Sequence, residues 1–541
     1  MNTMLLRAIS FAMLVTATGV RAANPAASLA DSIDAPINQQ LAEAGIPAAE
    51  PLDDAAWLRR VTLDLAGRIP TTEEAAGFAA HEAADKRQQA VDRLLDSPDF
   101  AFHLRNELDI LLLARKTHND AWRKYLLEAC RENRPWDVVF RELMLPEYER
   151  PEETGPAAFI RERVQDLDDL TNDTSSLLLG VNIGCAKCHD HPLVPDWEQQ
   201  HYFGMARFFK HTYRTRTGFL GERPDAELKF TDISGAVKPA EFMFLTGIKV
   251  DPPPQKLSDT ERKAIDDLIR KAEGEEGAPR PPLPEFSPRK EFVQLALHAS
   301  ATNLFAVNIV NRTWARLMGR GLVHPLDQIH SENPASHPEL LDTLTADFVH
   351  TGYNLKRLIR SLVLSKVYAR SSRWNAEQQR PAPELYAVAV PRPLTPRQLS
   401  LALIIASSDP ARLPGLDKPA DWNERREQWE LQADGLARRL EIPDDGFQVA
   451  ADEALFFSNA SQFENDFLRD SGDRLIGSLK TVEDAQRAIS IAFAATLTRQ
   501  PSEVERNAIG EYLAARQDRP VEALRQVVWT LLASPEFRFN H

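Results

Sequence analysis

The sequence predicts a mostly α protein: two helical domains joined by a Pro-rich linker, with a small irregular or β-containing insert. Three observations carry that reading. Helix-start signatures recur at Thr71-x-x-Glu74, Ser258-x-x-Glu261, Ser336-x-x-Glu339, Thr395-x-x-Gln398 and Ser502-x-x-Glu505. In each, a hydroxyl satisfies orphan backbone N–H groups and an acid or amide reaches back to the cap. Apolar residues recur at helical spacing, as in Leu340, Leu341, Leu344 and Phe348 and again in Leu355, Leu358, Ile359 and Leu362; both stripes read as core. The 541 residues hold only 23 Gly but 37 Pro, a balance that suits helices stopped by Pro turns and disfavours a Gly-rich nucleotide-binding fold.

Taken in order, residues 1–22 read as an export signal. Arg7 supplies the positive start, Ala8 to Thr18 the short apolar run, and Val20-Arg21-Ala22 a small-x-small cleavage site. The expected location is therefore periplasmic or extracellular. Residues 23–212 form the first helical domain. Residues 213–288 hold short alternating stretches such as Leu228-Lys229-Phe230-Thr231. After them, Asp251 to Pro288 reads as a linker with one solvated helix and prolines at 279, 281, 282, 284 and 288. Residues 289–541 form the second helical domain. A degenerate repeat links the two ends. Gly67-Arg68-Ile69-Pro70-Thr71 leads to Leu94-Leu95-Asp96-Ser97-Pro98-Asp99-Phe100, and Thr498-Arg499-Gln500-Pro501-Ser502 leads to Leu531-Leu532-Ala533-Ser534-Pro535-Glu536-Phe537. Each copy reads as a turn, a capped helix and a second helix stopped by Ser-Pro. A fainter echo is Leu362-Val363-Leu364-Ser365.

Charge narrows the partners. Sixty-four Lys and Arg against 79 Asp and Glu give a net charge of −15. Such a chain is a poor binder of nucleic acid or of anionic membrane surfaces, and no apolar run is long enough to span a bilayer. Three cysteines, Cys130, Cys185 and Cys188, are too few for a disulfide scaffold.

The chemistry-bearing motif is Cys185-Ala186-Lys187-Cys188-His189, a C-x-x-C-H. From the chain's own Cys and His counts, about 0.0004 such matches are expected by chance. The spacing is that of covalent haem c. Cys185 and Cys188 would form thioethers with the two vinyl-derived carbons, and His189 would be an axial ligand of the iron. Two readings stand beside it. A zinc ion would recruit Cys185, Cys188 and a distant ligand such as His201 or His211. Alternatively the two thiols form a redox dithiol or a structural disulfide. Around the motif, Asp190 is a candidate to orient the proximal imidazole, His191 is a hydrogen-bonder or second-site ligand, and Trp197, Phe208 and Phe209 are pocket walls or core. The sixth iron ligand is unassigned, with Met243, Met205, His201, His211, His103 and His541 as candidates and an open position equally allowed. Arg312 and Arg316 share one face of a helix ended by Gly319 or Gly321, and with Arg320 they are candidates for haem propionates, an anionic partner or a solvated face. No nucleophile elbow, P-loop, His-Glu-x-x-His or G-x-G-x-x-G occurs, so no reaction is assigned.

The chain resembles a family of exported bacterial proteins that pair two domains of unknown function, labelled planctomycete cytochrome-c-type proteins. The first domain's pattern is similar to Trp57-Leu58-Arg59-Arg60-Val61-Thr62-Leu63-Asp64-Leu65-Ala66-Gly67-Arg68-Ile69-Pro70, then Lys86-Arg87, Leu94-Leu95-Asp96-Ser97 and Cys185-Ala186-Lys187-Cys188-His189-Asp190-His191-Pro192. The second resembles Val310-Asn311-Arg312-Thr313-Trp314, Gly319-Arg320-Gly321-Leu322-Val323, Ser336-His337-Pro338-Glu339-Leu340-Leu341 and Glu536-Phe537-Arg538-Phe539-Asn540-His541. The resemblance implies export and a haem-type C-x-x-C-H, with no established reaction. The expected function is a mono-haem c-type protein for electron transfer or haem-based redox chemistry, with a redox protein as partner. The alternative is a non-enzymatic binding or scaffold protein with a Cys/His metal site or a structural disulfide.

Overall fold

The structure, a computed structural model, describes residues 29–113, 119–146, 155–191, 194–254, 257–298, 303–375, 377–415, 418–440 and 461–541. The expected export signal at 1–22 lies outside them. The described chain is mostly helical, with small antiparallel strand pairs. Helices α1 (Leu29–Glu43), α2 (Asp54–Ala66), α3 (Thr72–Ala80), α4 (Lys86–Asp96), α5 (Pro98–Leu113), α6 (Asp120–Arg131) and α7 (Trp136–Met144) come first. Short helices α8 (Ala158–Arg161) and α9 (Leu167–Asp173) lead through a 3-10 turn, Gly184–Lys187, to α10 (Gln199–Lys210). The expected β insert is three hairpins, β1 (Thr212–Arg214) with β2 (Leu220–Glu222), β3 (Lys229–Thr231) with β4 (Val237–Pro239), and β5 (Phe242–Met243) with β6 (Lys249–Val250).

The second half continues with α11 (Asp259–Gly274), α12 (Pro288–Leu297), α13 (Leu304–Met318), α14 (Pro338–His350) and α15 (Leu355–Val363). After them come β7 (Arg392–Pro393), α16 (Pro396–Ala406), α17 (Pro419–Ala437), α18 (Ser461–Phe467), α19 (Leu475–Leu479), α20 (Ala485–Leu497), α21 (Glu503–Ala514), α22 (Pro520–Leu532), α23 (Pro535–Arg538) and β8 (Phe539–Asn540). Reciprocal capping boxes form at Thr71, Ser258, Thr395 and Ser502. The expected box at Ser336 does not form. Pro338 takes the first helical position of α14, the helix starts after His337, and the Ser336 hydroxyl meets the His337 ring at 3.2 Å. The two predicted stripes, Leu340 to Phe348 and Leu355 to Leu362, are buried as expected. The helix expected to be solvated, α11, is anchored by the fully buried Ile269.

The repeat at the two ends is one device built twice. Gly67 (φ 67°) and Thr498 (φ 62°) both turn the chain through the left-handed region. A Cβ at Gly67 would also meet the His103 ring at 2.6 Å, so glycine is required there. The next residue is an arginine that clamps two acids. Arg68 contacts Glu74 at 2.6 Å and Asp99 at 2.8 Å, and Arg499 contacts Glu505 at 2.8 Å and Glu536 at 2.6 Å. In both copies the serine before proline, Ser97 or Ser534, donates to the carbonyl three residues back at 2.7 Å, and Ser365 in the fainter echo does the same. Sequence similarity and side-chain geometry therefore coincide.

Apolar packing forms two clusters. One runs from Ile33 to Val388, so it crosses the predicted linker. The other joins Leu394 through Phe537 to Leu63 and Ile69 from the N-terminal part. Helix α2 stands between them, and every residue from Trp57 to Ala66 is buried. Its polar side chains are consumed by distant segments. Asp64 accepts from Tyr368 Oη (2.7 Å), Arg392 Nη2 (2.8 Å) and Asn540 Nδ2 (2.9 Å). Arg60 donates to the carbonyls of Tyr368 and Arg370 (2.6 and 2.8 Å), and Arg59 to those of Thr496 and Phe537 (3.0 and 3.2 Å).

A second buried charge chain locks α17 onto α5. Arg426, fully buried, approaches Asp99 and Glu430 to 2.6 Å each. It meets them outside hydrogen-bond angles, so the attraction is chiefly electrostatic. Arg105 reaches Glu430 at 2.6 Å and the Trp422 indole donates to Asp99 at 3.0 Å. Burial alone would push the carboxyls of Glu74 and Glu430 up, but the arginines outweigh it. Arg68 acts on Glu74 and Arg426 with Arg105 acts on Glu430, and both carboxyls are held down to about 2. A carboxyl lowered in the folded state stabilises it above the ordinary value near 4.5 and loses that contribution as pH falls towards 2. Denaturant midpoints should therefore be flat above pH 4.5 and fall steeply between pH 4.5 and 2. Glu430→Gln should lower the plateau and flatten the slope; a variant with an unchanged slope would remove this network from the account of acid unfolding.

Candidate functional site

The C-x-x-C-H lies on the 3-10 turn Gly184–Lys187 and the two residues after it. In a 3-10 turn, residues i and i+3 eclipse, so Cys185 and Cys188 share a face, and both thiols are free and exposed. Two buried residues pin the turn, Ile183 before it and Ala186 inside it. Gly180, at φ 71°, lets the chain approach the next element, since a Cβ there would meet Asn308 Oδ1 at 2.8 Å. Val181 bridges Gln328, and Asn182 N donates to the Asp327 carbonyl at 2.8 Å.

Polar partners from other elements fix the rest. Lys187 Nζ pairs with Asp168 of α9, whose other carboxylate oxygen takes the Tyr202 hydroxyl from α10. Burial raises Asp168, yet the Lys187 and Tyr202 hydrogen bonds prevail and hold its carboxyl below its ordinary value. Asp196 accepts from Ser331 N and Oγ, both at 2.8 Å. These partners were invisible to motif reading. Asp168, Ser331 and Asp327 are 17 to 146 residues from the thiols by position in the sequence, and no local spacing marks them.

His189 is exposed, and its Nδ1 lies 2.8 Å from the Asp190 carbonyl oxygen. A carbonyl only accepts, so Nδ1 is the donor here, and in a neutral ring Nε2 carries the lone pair. Histidine metal ligands are oriented in this way. The carboxylate of Asp190 does not orient His189, contrary to one sequence reading. Asp190 Oδ1 instead accepts from Gln199 N at 2.9 Å, at the start of α10. His191 N donates to the Trp197 carbonyl at 2.7 Å. Pro192 lies outside the described residues.

The other candidates have surroundings of their own. Phe208 and Phe209 do not wall the thiol turn; they pack on Phe292, at 6.0 and 5.1 Å between ring centres. Trp197 is buried and edges onto His201. Among the proposed distal ligands, Met205 and Met243 are core, and His103 is buried against Gly67. His201 Nδ1 accepts from Glu198 N at 3.1 Å, His211 Nδ1 meets the Arg223 carbonyl at 2.8 Å, and His541 Nδ1 meets the Phe539 carbonyl at 3.1 Å. Arg312 and Arg316 do share a face of α13, which Gly319 ends in the left-handed region. They line a cleft against α5 whose lining includes none of residues 182–191. Among the described residues, no group of three or more His, Cys, Asp and Glu side chains is placed to hold a metal ion, so the zinc reading finds no ligand set there.

The three thiols differ sharply. Burial pushes Cys130 up to about 12, whereas Cys185 and Cys188 face solvent. Chain made without haem-attachment machinery and kept reduced should react with Ellman's reagent at two thiols under native conditions and at the third only after denaturation. Fewer than two fast thiols would contradict the exposed placement of the turn.

Residues 32–214 match the family described as PSCyt2, protein of unknown function (DUF1549), and residues 288–443 match PSD1, protein of unknown function (DUF1553). No curated protein and no solved structure matches the chain. A helical body with an exposed C-x-x-C-H turn in its first matched region thus carries, in order, segments that match the DUF1549 and DUF1553 families, both of unknown function.

Proposed function

We propose that this chain is an exported mono-haem c-type protein for electron transfer or haem-based redox chemistry. One observation supports it above others: two exposed thiols three residues apart are followed at once by a histidine whose Nδ1 is engaged by the Asp190 carbonyl. In this reading Cys185 and Cys188 would hold the porphyrin through thioethers, each thiol's sulfur going to one vinyl carbon and its hydrogen to the other, with no oxidant consumed. Haem so bound supplies a reversible one-electron couple. The chain's part is to hold the ring. Ile183 and Ala186 root the turn in the core, the Lys187–Asp168 pair fixes its flank, and the backbone of Asp190 orients His189. The haem would lie on the surface of the body, where a partner protein can approach its edge.

A second reading is a non-enzymatic binding or scaffold protein in which Cys185 and Cys188, free thiols three residues apart at one turn, form a dithiol or a disulfide staple.

Expression with haem-attachment machinery, followed by a pyridine haemochrome spectrum and a haem-stained denaturing gel, separates the two. The haem reading predicts one covalent haem per chain, lost in Cys185→Ala with Cys188→Ala, and a changed spectrum but retained staining in His189→Ala. A colourless protein with an intact Cys185–Cys188 disulfide would decide for the staple.

A further inference from the structure

The cleft between α5 and α13 has features that the cofactor reading does not use. Its volume is about 390 Å³, within the range of about 300–1,000 Å³ usual for small-molecule sites. Its walls are aliphatic: Leu104 and Leu108 from α5, Ile309 from α13, and Leu355 and Ile359 from α15. One side carries three arginines, Arg312, Arg316 and Arg320, spaced four residues apart on α13 and the turn that ends it.

Those arginines differ from the ones that build the buried charge chains. Arg68, Arg105, Arg163, Arg426 and Arg499 each face a carboxylate at 2.9 Å or less. Among the described residues, no ion pair forms at Arg312, Arg316 or Arg320. Arg312 is held by neutral acceptors, the Asn308 amide oxygen and the Ser176 carbonyl, both at 2.8 Å. Arg316 Nη2 is buried without a hydrogen-bond partner, a cost that folded proteins rarely leave unmet. Glu107 is the single acid in the lining; burial pushes its carboxyl up, outweighing the pull of Arg316. In a chain of net charge −15, three guanidiniums beside aliphatic walls form a local excess of positive charge.

We propose that this cleft binds an amphiphilic monoanion of the medium-chain fatty-acid class, its carboxylate on the Arg316–Arg320 side and its alkyl chain along the leucines and isoleucines. The arginine fork matches a carboxylate in two hydrogen bonds, and the aliphatic walls take the chain by burial. The site is separate from the thiol turn and does not rest on the haem reading.

Calorimetric titration of the full-length protein with decanoate, below its micelle concentration, tests this. Decanoate should bind saturably at one site, at least about tenfold tighter than 1-decanol, and its affinity should fall with added NaCl. Arg316→Gln and Arg320→Gln should each weaken decanoate by roughly tenfold with the circular dichroism spectrum unchanged, while 1-decanol binding is unmoved. Arg320 is partly exposed, so its variant keeps the test open if Arg316→Gln misfolds. No saturable binding, equal affinity for the alcohol, or decanoate affinity unchanged in both variants would overturn the proposal.

Discussion

Helix α2 is the constraint on which the rest of this molecule depends. It is buried on all sides, yet it carries Arg59, Arg60 and Asp64. Buried charges are costly unless they find partners; Arg59 Nε and Arg60 Nη2 have none, but the guanidinium nitrogens that reach acceptors and both Asp64 oxygens do. Here those partners are not neighbours in sequence. They are the carbonyls of Tyr368, Arg370, Thr496 and Phe537 and the side chains of Tyr368, Arg392 and Asn540. The chain must therefore bring Arg392 and Asn540 back to α2, and β7 and β8 pair beside it as a consequence. The apolar face of α2 contributes to both clusters, Trp57 and Val61 to one and Leu63 to the other. The same helix thus joins the two cores by packing and closes the chain by hydrogen bonding.

Local rules were legible and non-local ones were not. Four of five capping boxes form because their partners are three residues apart and need nothing else. The fifth fails through an equally local cause, Pro338 at the helix start. The repeat was readable as a string, but not its content: Arg68 and Arg499 each clamp one acid of the capping box and one acid after a Ser-Pro stop. No local spacing marks Arg59 and Arg60 of α2 as buried, and only the tertiary structure shows them enclosed. Periodicity reports where apolar residues lie; it is silent about a charge whose counterpart arrives three hundred residues later.

The candidate site divides in the same way. The two thiols and His189 are visible as a motif because the chemistry itself fixes their spacing. The structure adds that the thiols are exposed, that the Asp190 backbone rather than its carboxylate meets His189, and that Asp168 and Tyr202 secure the flank. The aromatic residues near the motif belong to the core instead, since aromatic side chains bury large apolar areas wherever a core is within reach. Arg312 and Arg316 stood out by spacing alone, and their surroundings give them a cleft of their own.

If α2 joins both clusters, they cannot unfold independently. Scanning calorimetry of the full chain tests this directly. The account predicts one cooperative transition whose calorimetric and van't Hoff enthalpies agree. Two separate transitions, one for each apolar cluster, would show that α2 merely lies between two self-sufficient bodies.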